Sequence, residues 1–268
     1  MLLLVTVLCL LPAGDDPNFD AGVAAVEAGD FPKAVRLLTN VIELQPKHYD
    51  AHVYRAVAYE KQDKYAEAAA DYTKCVELMP RAAEVYNARG AVQFKRGKFT
   101  ESLADFDKYI ELKPAEKNGH WMRGITCYYA GKFDEGKKQF EGYEKVDTND
   151  VENAVWHFLC VARKDGVDKA RAGLLKIGKD RRVPMSQVYD LFAGKLKPDD
   201  VLGAAKTPRA EGELLNRQLF YAHLYLGLYF EVTGDAKRSL EHLEEAVRHR
   251  IGHYMWDVSR VHRDLLKK

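Results

Sequence analysis

The 268-residue chain is poor in the features that announce chemistry. It has four cysteines, at positions 9, 75, 127 and 160, with no CxxC pair and no Cys/His cluster at metal-site spacing. That spacing offers neither a disulfide framework nor a zinc site. Cys75, Cys127 and Cys160 are expected to be buried free thiols. Charge of one sign is also lacking: 41 basic and 40 acidic residues give a net charge of +1. No basic stripe of the kind nucleic acid demands is present. No apolar run approaches the roughly 20 residues that span a bilayer as a helix. There is no GxSxG elbow, Walker loop or GxGxxG turn. His249 and His253 stand four apart, but no HExxH glutamate lies between them and Gly252 interrupts the helix. Pairs such as Glu244–Glu245 read as solvated helix faces. The expectation is a protein that is not an enzyme, with no catalytic residue, no cofactor and no metal.

What is there begins at the start of the chain. Residues 2–11 are apolar apart from one threonine, and Pro12-Ala13-Gly14 and acidic residues follow. A ten-residue apolar stretch ending in small residues reads as a secretory signal peptide over residues 1–14, cleaved near Ala13. That places the mature protein outside the cytoplasm, periplasmic or envelope-associated. No Lys or Arg precedes the run, so a buried first helix is the alternative. Lipidation at Cys9 is disfavoured, because Val7 and Leu8 stand where a lipidation site wants small residues.

Beyond this the chain repeats. Pro46, Pro80 and Pro114 stand 34 residues apart, and other columns share that period. Small residues recur at Gly22, Ala56, Gly90 and Gly124, and aromatics at Phe31, Tyr65, Phe99 and Phe133. Bulky residues recur at Leu38, Tyr72, Phe106 and Phe140. This pattern resembles the tetratricopeptide repeat, a helix–turn–helix unit. The resemblance implies an all-α superhelical solenoid of antiparallel helix pairs, built as a surface for partners and not around a cleft. Regular units are expected at 15–48, 49–82, 83–116 and 117–150, then a divergent helical region at 151–219. A further repeat-like unit is expected at 220–253 and a capping helix at 254–268.

Small residues face each other where the paired helices cross: Ala56 and Ala68, Gly90 and Ser102, Gly124 and Gly136. The turns carry Gly29-Asp30, Asp63-Lys64, Gly97-Lys98 and Gly131-Lys132, where glycine eases the exit from a helix. Arg55, Arg89 and Arg123 recur with Asp71, Asp105 and Gln139 at the same period. Two readings compete: an anion-binding ladder, or tethers within each repeat. The matching acidic column favours tethers. His52, His120 and His223 share an early first-helix position and read as packing residues.

In the divergent region, helices are expected over 151–163 and from there to about 177, a loop over 178–184, and short helices over 185–194 and 198–206. Trp156-His157-Phe158-Leu159, the run 188–194, and Tyr225-Leu226-Gly227-Leu228-Tyr229-Phe230 with Gly234-Asp235 resemble the NlpI-type lipoproteins of bacterial envelopes. That resemblance implies a periplasmic homodimeric adaptor for a tail-specific protease or peptidoglycan hydrolases. It supplies no contact residues.

The expected function is a non-catalytic scaffold that docks a protein or peptide partner in the envelope. The alternative is a cytoplasmic assembly or co-chaperone-like module with the apolar start as a packing helix. The lysine and asparagine set that clamps a carboxyl terminus in some repeat proteins is absent. The expected groove is lined instead by Tyr54, Asn87, Trp121, Met122, Ile125 and Tyr128. Trp121 and its neighbours have a second reading, as core that buries the irregular half.

Overall fold

The computed structural model describes residues 17–143, 145–206 and 210–268, and among these the chain forms fifteen α-helices and no strand. The expected signal peptide and Cys9 lie outside the described residues. The chain divides into two compact units, one ending at Ala115 and the other beginning at Glu116.

The first unit is three helix pairs: α1 (Pro17–Glu27) with α2 (Phe31–Leu44), α3 (Tyr49–Glu60) with α4 (Tyr65–Leu78), and α5 (Ala83–Lys95) with α6 (Phe99–Leu112). Each helix packs on the next. The second helices end two residues before Pro46, Pro80 and Pro114, which have no N–H with which to continue them. The turns within the pairs need a left-handed residue, supplied by Gly29 (φ 77°), Asp63 (φ 57°) and Gly97 (φ 73°). Asp30 then caps α2, its Oδ1 accepting from Lys33 N at 3.2 Å.

Close approach explains the small column. A Cβ on Gly90 would meet Phe106 Cε1 at 2.8 Å, and one on Gly22 would meet Leu38 Cγ at 2.8 Å. Ser102 satisfies its buried hydroxyl by donating to Gly90 O at 2.7 Å. The arginines are tethers: Arg55 Nε and Nη2 donate to Asp71 at 2.8 and 2.7 Å, and Arg89 makes the same fork to Asp105 at 2.9 and 2.7 Å. Each also reaches the preceding pair, Arg55 donating to Thr39 at 3.0 Å and Arg89 to Thr73 at 3.2 Å. His52 adds a second contact to Asp71 at 2.8 Å. Burial pushes the Asp71 carboxyl up, but the hydrogen bonds from Arg55 and His52 outweigh it and hold the group below the usual aspartate range.

The second unit opens with a shorter pair, α7 (Trp121–Tyr129) and α8 (Phe133–Tyr143). Next come α9 (Val151–Asp165), α10 (Val167–Ala172), α11 (Met185–Phe192) and α12 (Pro198–Ala205). It closes with α13 (Gly212–Val232), α14 (Ala236–Arg248) and α15 (Tyr254–Leu266). The repeat contacts return here: a Cβ on Gly124 would meet Phe140 Cζ at 2.6 Å, and one on Gly227 would meet Leu243 Cγ at 2.6 Å. One expectation is corrected. The helix after Gly166 stops at Ala172, well short of residue 177, because Gly173 follows and the segment beyond it extends. The centre of this unit is α9, buried along most of its length and packed against α8, α10, α11 and α13.

Candidate functional site

Helix α9 starts where the chain turns in after α8, with Asp150 as its N-cap: Oδ1 accepts from Glu152 N at 3.0 Å. Glu152, Asn153 and Trp156 follow at i, i+1 and i+4, so all three lie toward one side of the helix. That side lines a cavity of about 180 Å³. Trp121, Ile125, Phe140 and Tyr143 from α7 and α8 supply its apolar wall, and Arg182 and His253 complete the lining.

The polar end is a cluster around one guanidinium. Arg182 donates to Asp150 at 2.6 Å, to Glu152 at 2.7 Å and to Asp180 at 2.6 Å. Three carboxylates around one cation leave two negative charges uncompensated when all are ionised. Burial pushes the Glu152 carboxyl up to about 7 against the pull of Arg182, and Asp150 adds to the rise. Burial likewise raises Asp150 against Arg182. Asp180 goes the other way, because the hydrogen bonds from Arg182 outweigh its burial. Tyr225 steadies Glu152, its hydroxyl donating to Oε2 at 2.9 Å.

Two buried atoms in the lining have no partner. Asn153, 5% exposed, donates from Nδ2 to Phe140 O at 3.0 Å, which fixes the amide so that Oδ1 is the other end, and Oδ1 is unpaired. Trp156, 1% exposed, leaves its indole Nε1 unpaired. Buried polar groups are normally satisfied, so these two are the feature of the site that asks for a ligand or water.

The residues expected to form a groove have several locations. Tyr54 and Asn87 lie in the first unit, half-buried on α3 and α5, and Tyr54 packs edge-on against Phe19 at 6.0 Å. Trp121 and Met122 are half-buried at the start of α7. Trp121 stacks on His253 at 6.0 Å and meets Tyr254 edge-on at 5.4 Å. Ile125 and Tyr128 are not surface residues: Ile125 is 1% exposed and Tyr128 5%. Both face the core of the second unit, where the Tyr128 hydroxyl donates to Glu231 at 2.9 Å. The second reading therefore holds for Ile125 and Tyr128, while Trp121 itself both packs and borders the cavity.

Asp150, Glu152, Asn153, Trp156 and Arg182 escaped sequence reasoning as a set. Their one local signal is the acidic pair at the start of an otherwise apolar helix. Arg182 comes from a segment that reads only as a charged loop. The histidines have other tasks: His48 and His120 cap helices, accepting from Ala51 N at 3.2 Å and Arg123 N at 3.1 Å. His223 Nδ1 lies 3.0 Å from His242 Nδ1. Burial and the two neighbouring imidazoles, His242 and His249, push His223 down to about 4. No group of three His, Cys, Asp or Glu among the described residues is arranged to hold a metal ion.

Residues 19–78 and 83–116 match tetratricopeptide-repeat family profiles. A solved tetratricopeptide repeat protein from Parabacteroides merdae superposes with a TM-score of 0.59 at 13% identity, over 94% of this chain and 98% of that one. The C-terminal part of a TPR repeat-containing protein from Cytophaga hutchinsonii gives 0.56 at 12% identity, over 90% and 98%. MamA 41-end from Desulfovibrio magneticus gives 0.54 at 16% identity, over 59% and 91%. Identities this low speak for the fold alone. No curated protein matches the chain. Residues 19–78 and 83–116 thus carry tetratricopeptide repeats, and the chain has the all-α fold of packed helix pairs seen in these solved repeat proteins.

Proposed function

We propose that the protein is a non-catalytic adaptor that docks a protein partner in the bacterial envelope. The observation that carries the docking reading is a repeat architecture whose second unit leaves Trp121 half-buried beside a cavity with aromatic walls. Arrays of this kind present surface for partners, and tryptophan is over-represented among the anchors of interfaces. The apolar run over residues 2–11 supports export. The NlpI-type resemblance supports an envelope protease or peptidoglycan hydrolase as partner, and a homodimer as the working form. Met122 adjoins Trp121 in the proposed docking surface of the second unit, and Tyr54 and Asn87 form a separate proposed surface in the first.

The test is partner capture from native envelopes, repeated with Trp121→Ala. The variant is expected to lose roughly 2 kcal/mol of partner affinity with helicity unchanged. Unfolding with affinity per folded molecule intact would make Trp121 core only. Intact mass on protein from the native host decides location, with a start at Gly14 or Asp15 expected. Recovery of Met1 on a cytoplasmic species would favour the assembly-module reading.

A further inference from the structure

We propose that the cavity lined by Trp121 and Trp156 receives the free amino terminus of a peptide, its α-ammonium group together with the adjacent carbonyl. This deepens the adaptor reading, which supplies the partner that carries the terminus.

Size comes first. The cavity's volume of about 180 Å³ is comparable to the ~150 Å³ of a protein cavity that takes up benzene. It suits one small residue or the end of one side chain. Charge comes next. Arg182 is shared by Asp150, Glu152 and Asp180, so the polar end carries an excess of carboxylate. Arg182 and Glu152 N both engage Oδ1 of Asp150, which leaves Oδ2 without a hydrogen bond among the described residues. An incoming ammonium group balances this charge and brings three donors. The aromatic wall of Trp121, Phe140 and Tyr143 supplies rings that can attract a cation.

The unpaired atoms narrow the choice. Asn153 Oδ1 wants a donor and Trp156 Nε1 wants an acceptor. A lysine side chain would satisfy Asn153 and leave the indole unpaired. An anion would satisfy the indole and be repelled by Asp150 and Glu152. A free amino acid would bring its own carboxylate into the same negative end. An α-ammonium followed by a neutral peptide carbonyl supplies the donor, the acceptor and the positive charge within one residue. Asn153 and Trp156, three apart on α9, are neighbours on the helix surface, the spacing such a group needs. Access is open on the polar side, where the Arg182 side chain is 46% exposed.

The experiment follows the indole N–H signals of the ¹⁵N-labelled full chain, assigned by Trp→Phe variants, during titration with Ala-Ala-Ala-amide. The Trp156 signal is expected to shift and saturate. The N-acetylated peptide is expected to bind roughly tenfold more weakly or worse, the loss of a charge-assisted hydrogen bond, and n-butylammonium to fall between them. Asp150→Asn keeps the helix cap but removes a charge, and should weaken the free peptide to a similar degree. Equal binding of the acetylated peptide, or of n-butylammonium, overturns the assignment. So does a Trp156 signal that no probe moves up to the peptide's solubility limit, which would make the cavity a hydrated structural cluster. In that last case, loss of partner docking by Trp121→Ala would leave the adaptor reading standing by itself.

Discussion

In the first unit an arginine meets an aspartate at each of the two tethered crossings, and the charges cancel inside the helix pair. In the second unit the same column places Arg123 opposite Gln139, at 3.4 Å, and the guanidinium turns also to the exposed Glu135 at 3.3 Å. Gln139 uses its amide to close the chain entering α7, donating to Lys117 O at 2.6 Å. The regular pairs use their charged column up in holding themselves together. Where the pattern lapses, ionisable groups gather elsewhere, as the three carboxylates around Arg182 do. Loss of periodicity in such a chain marks the place to look for function.

The largest expected effect tests that contrast directly. Asp71→Ala leaves Arg55 and His52 facing a buried gap, and unfolding by urea should show a loss of about 3 kcal/mol or more. Gln139→Ala removes an uncharged partner at the matching crossing, with one long bond from Arg123 and one to Lys117 O, and should cost about 1 kcal/mol. Equal losses would mean that the two units are held alike and the contrast is one of sequence only. The contribution of Asp71 also has a defined sign with pH. Its folded pKa is depressed below 3.8, so the stabilisation is full above the unfolded value and lost as pH falls through the lower folded one.

Glycine offers a second test that treats both units alike. Gly90→Ala and Gly124→Ala improve helix propensity by about 1 kcal/mol. Each new Cβ, however, would press on the buried ring of Phe106 or Phe140, at 2.8 and 2.6 Å. Overpacking outweighs propensity, so a net loss of about 1 to 3 kcal/mol is expected for each in thermal unfolding. Gly203 in α12 has open space around its Cβ position and no left-handed backbone. Gly203→Ala should therefore stabilise by about 0.5 kcal/mol or slightly more. A loss at Gly203, or no loss at Gly90 and Gly124, would refute the close-approach account.

The parts legible in the sequence are those whose causes are local or periodic. Proline after a helix, a left-handed residue at each turn, and the Arg55–Asp71 and Arg89–Asp105 tethers all follow from columns that repeat. The sequence register also pairs Gly124 with Gly136, whose Cβ position lies 3.3 Å from Gly124 O. Ile125 and Tyr128 were misplaced because column position alone says that a first-helix residue faces a groove. It cannot say that α9 and α13 fill that space in the second unit, as the Tyr128–Trp156 ring contact and the Tyr128–Glu231 hydrogen bond show they do. The cavity was illegible for a related reason. Arg182 joins Glu152 across 30 residues of irregular chain, and no period connects them. In the sequence Trp156 is one residue of a family-like motif, with nothing local to show that its indole N–H is unpaired.

A further effect separates the irregular unit from the regular one by the direction of its pH dependence. The folded pKa of Glu152 stands at about 7, above the ordinary 4.5. Between those values the folded state binds more proton than the unfolded chain, so stability falls as pH rises from about 4.5 to about 7. This is opposite in sign to the Asp71 contribution. Glu152→Gln carries no titrating group, keeps similar volume, and can still accept from Tyr225. It should flatten that decline, removing on the order of 1 to 2 kcal/mol of pH-dependent loss. The figure is below that of a full isolated shift because Asp150 shares the same proton uptake. Urea midpoints of the parent and the variant, measured in steps across this window, give the answer. A parallel decline in both would mean that Glu152 is already ionised beside Arg182 throughout this window and does not take up the proton that its burial favours.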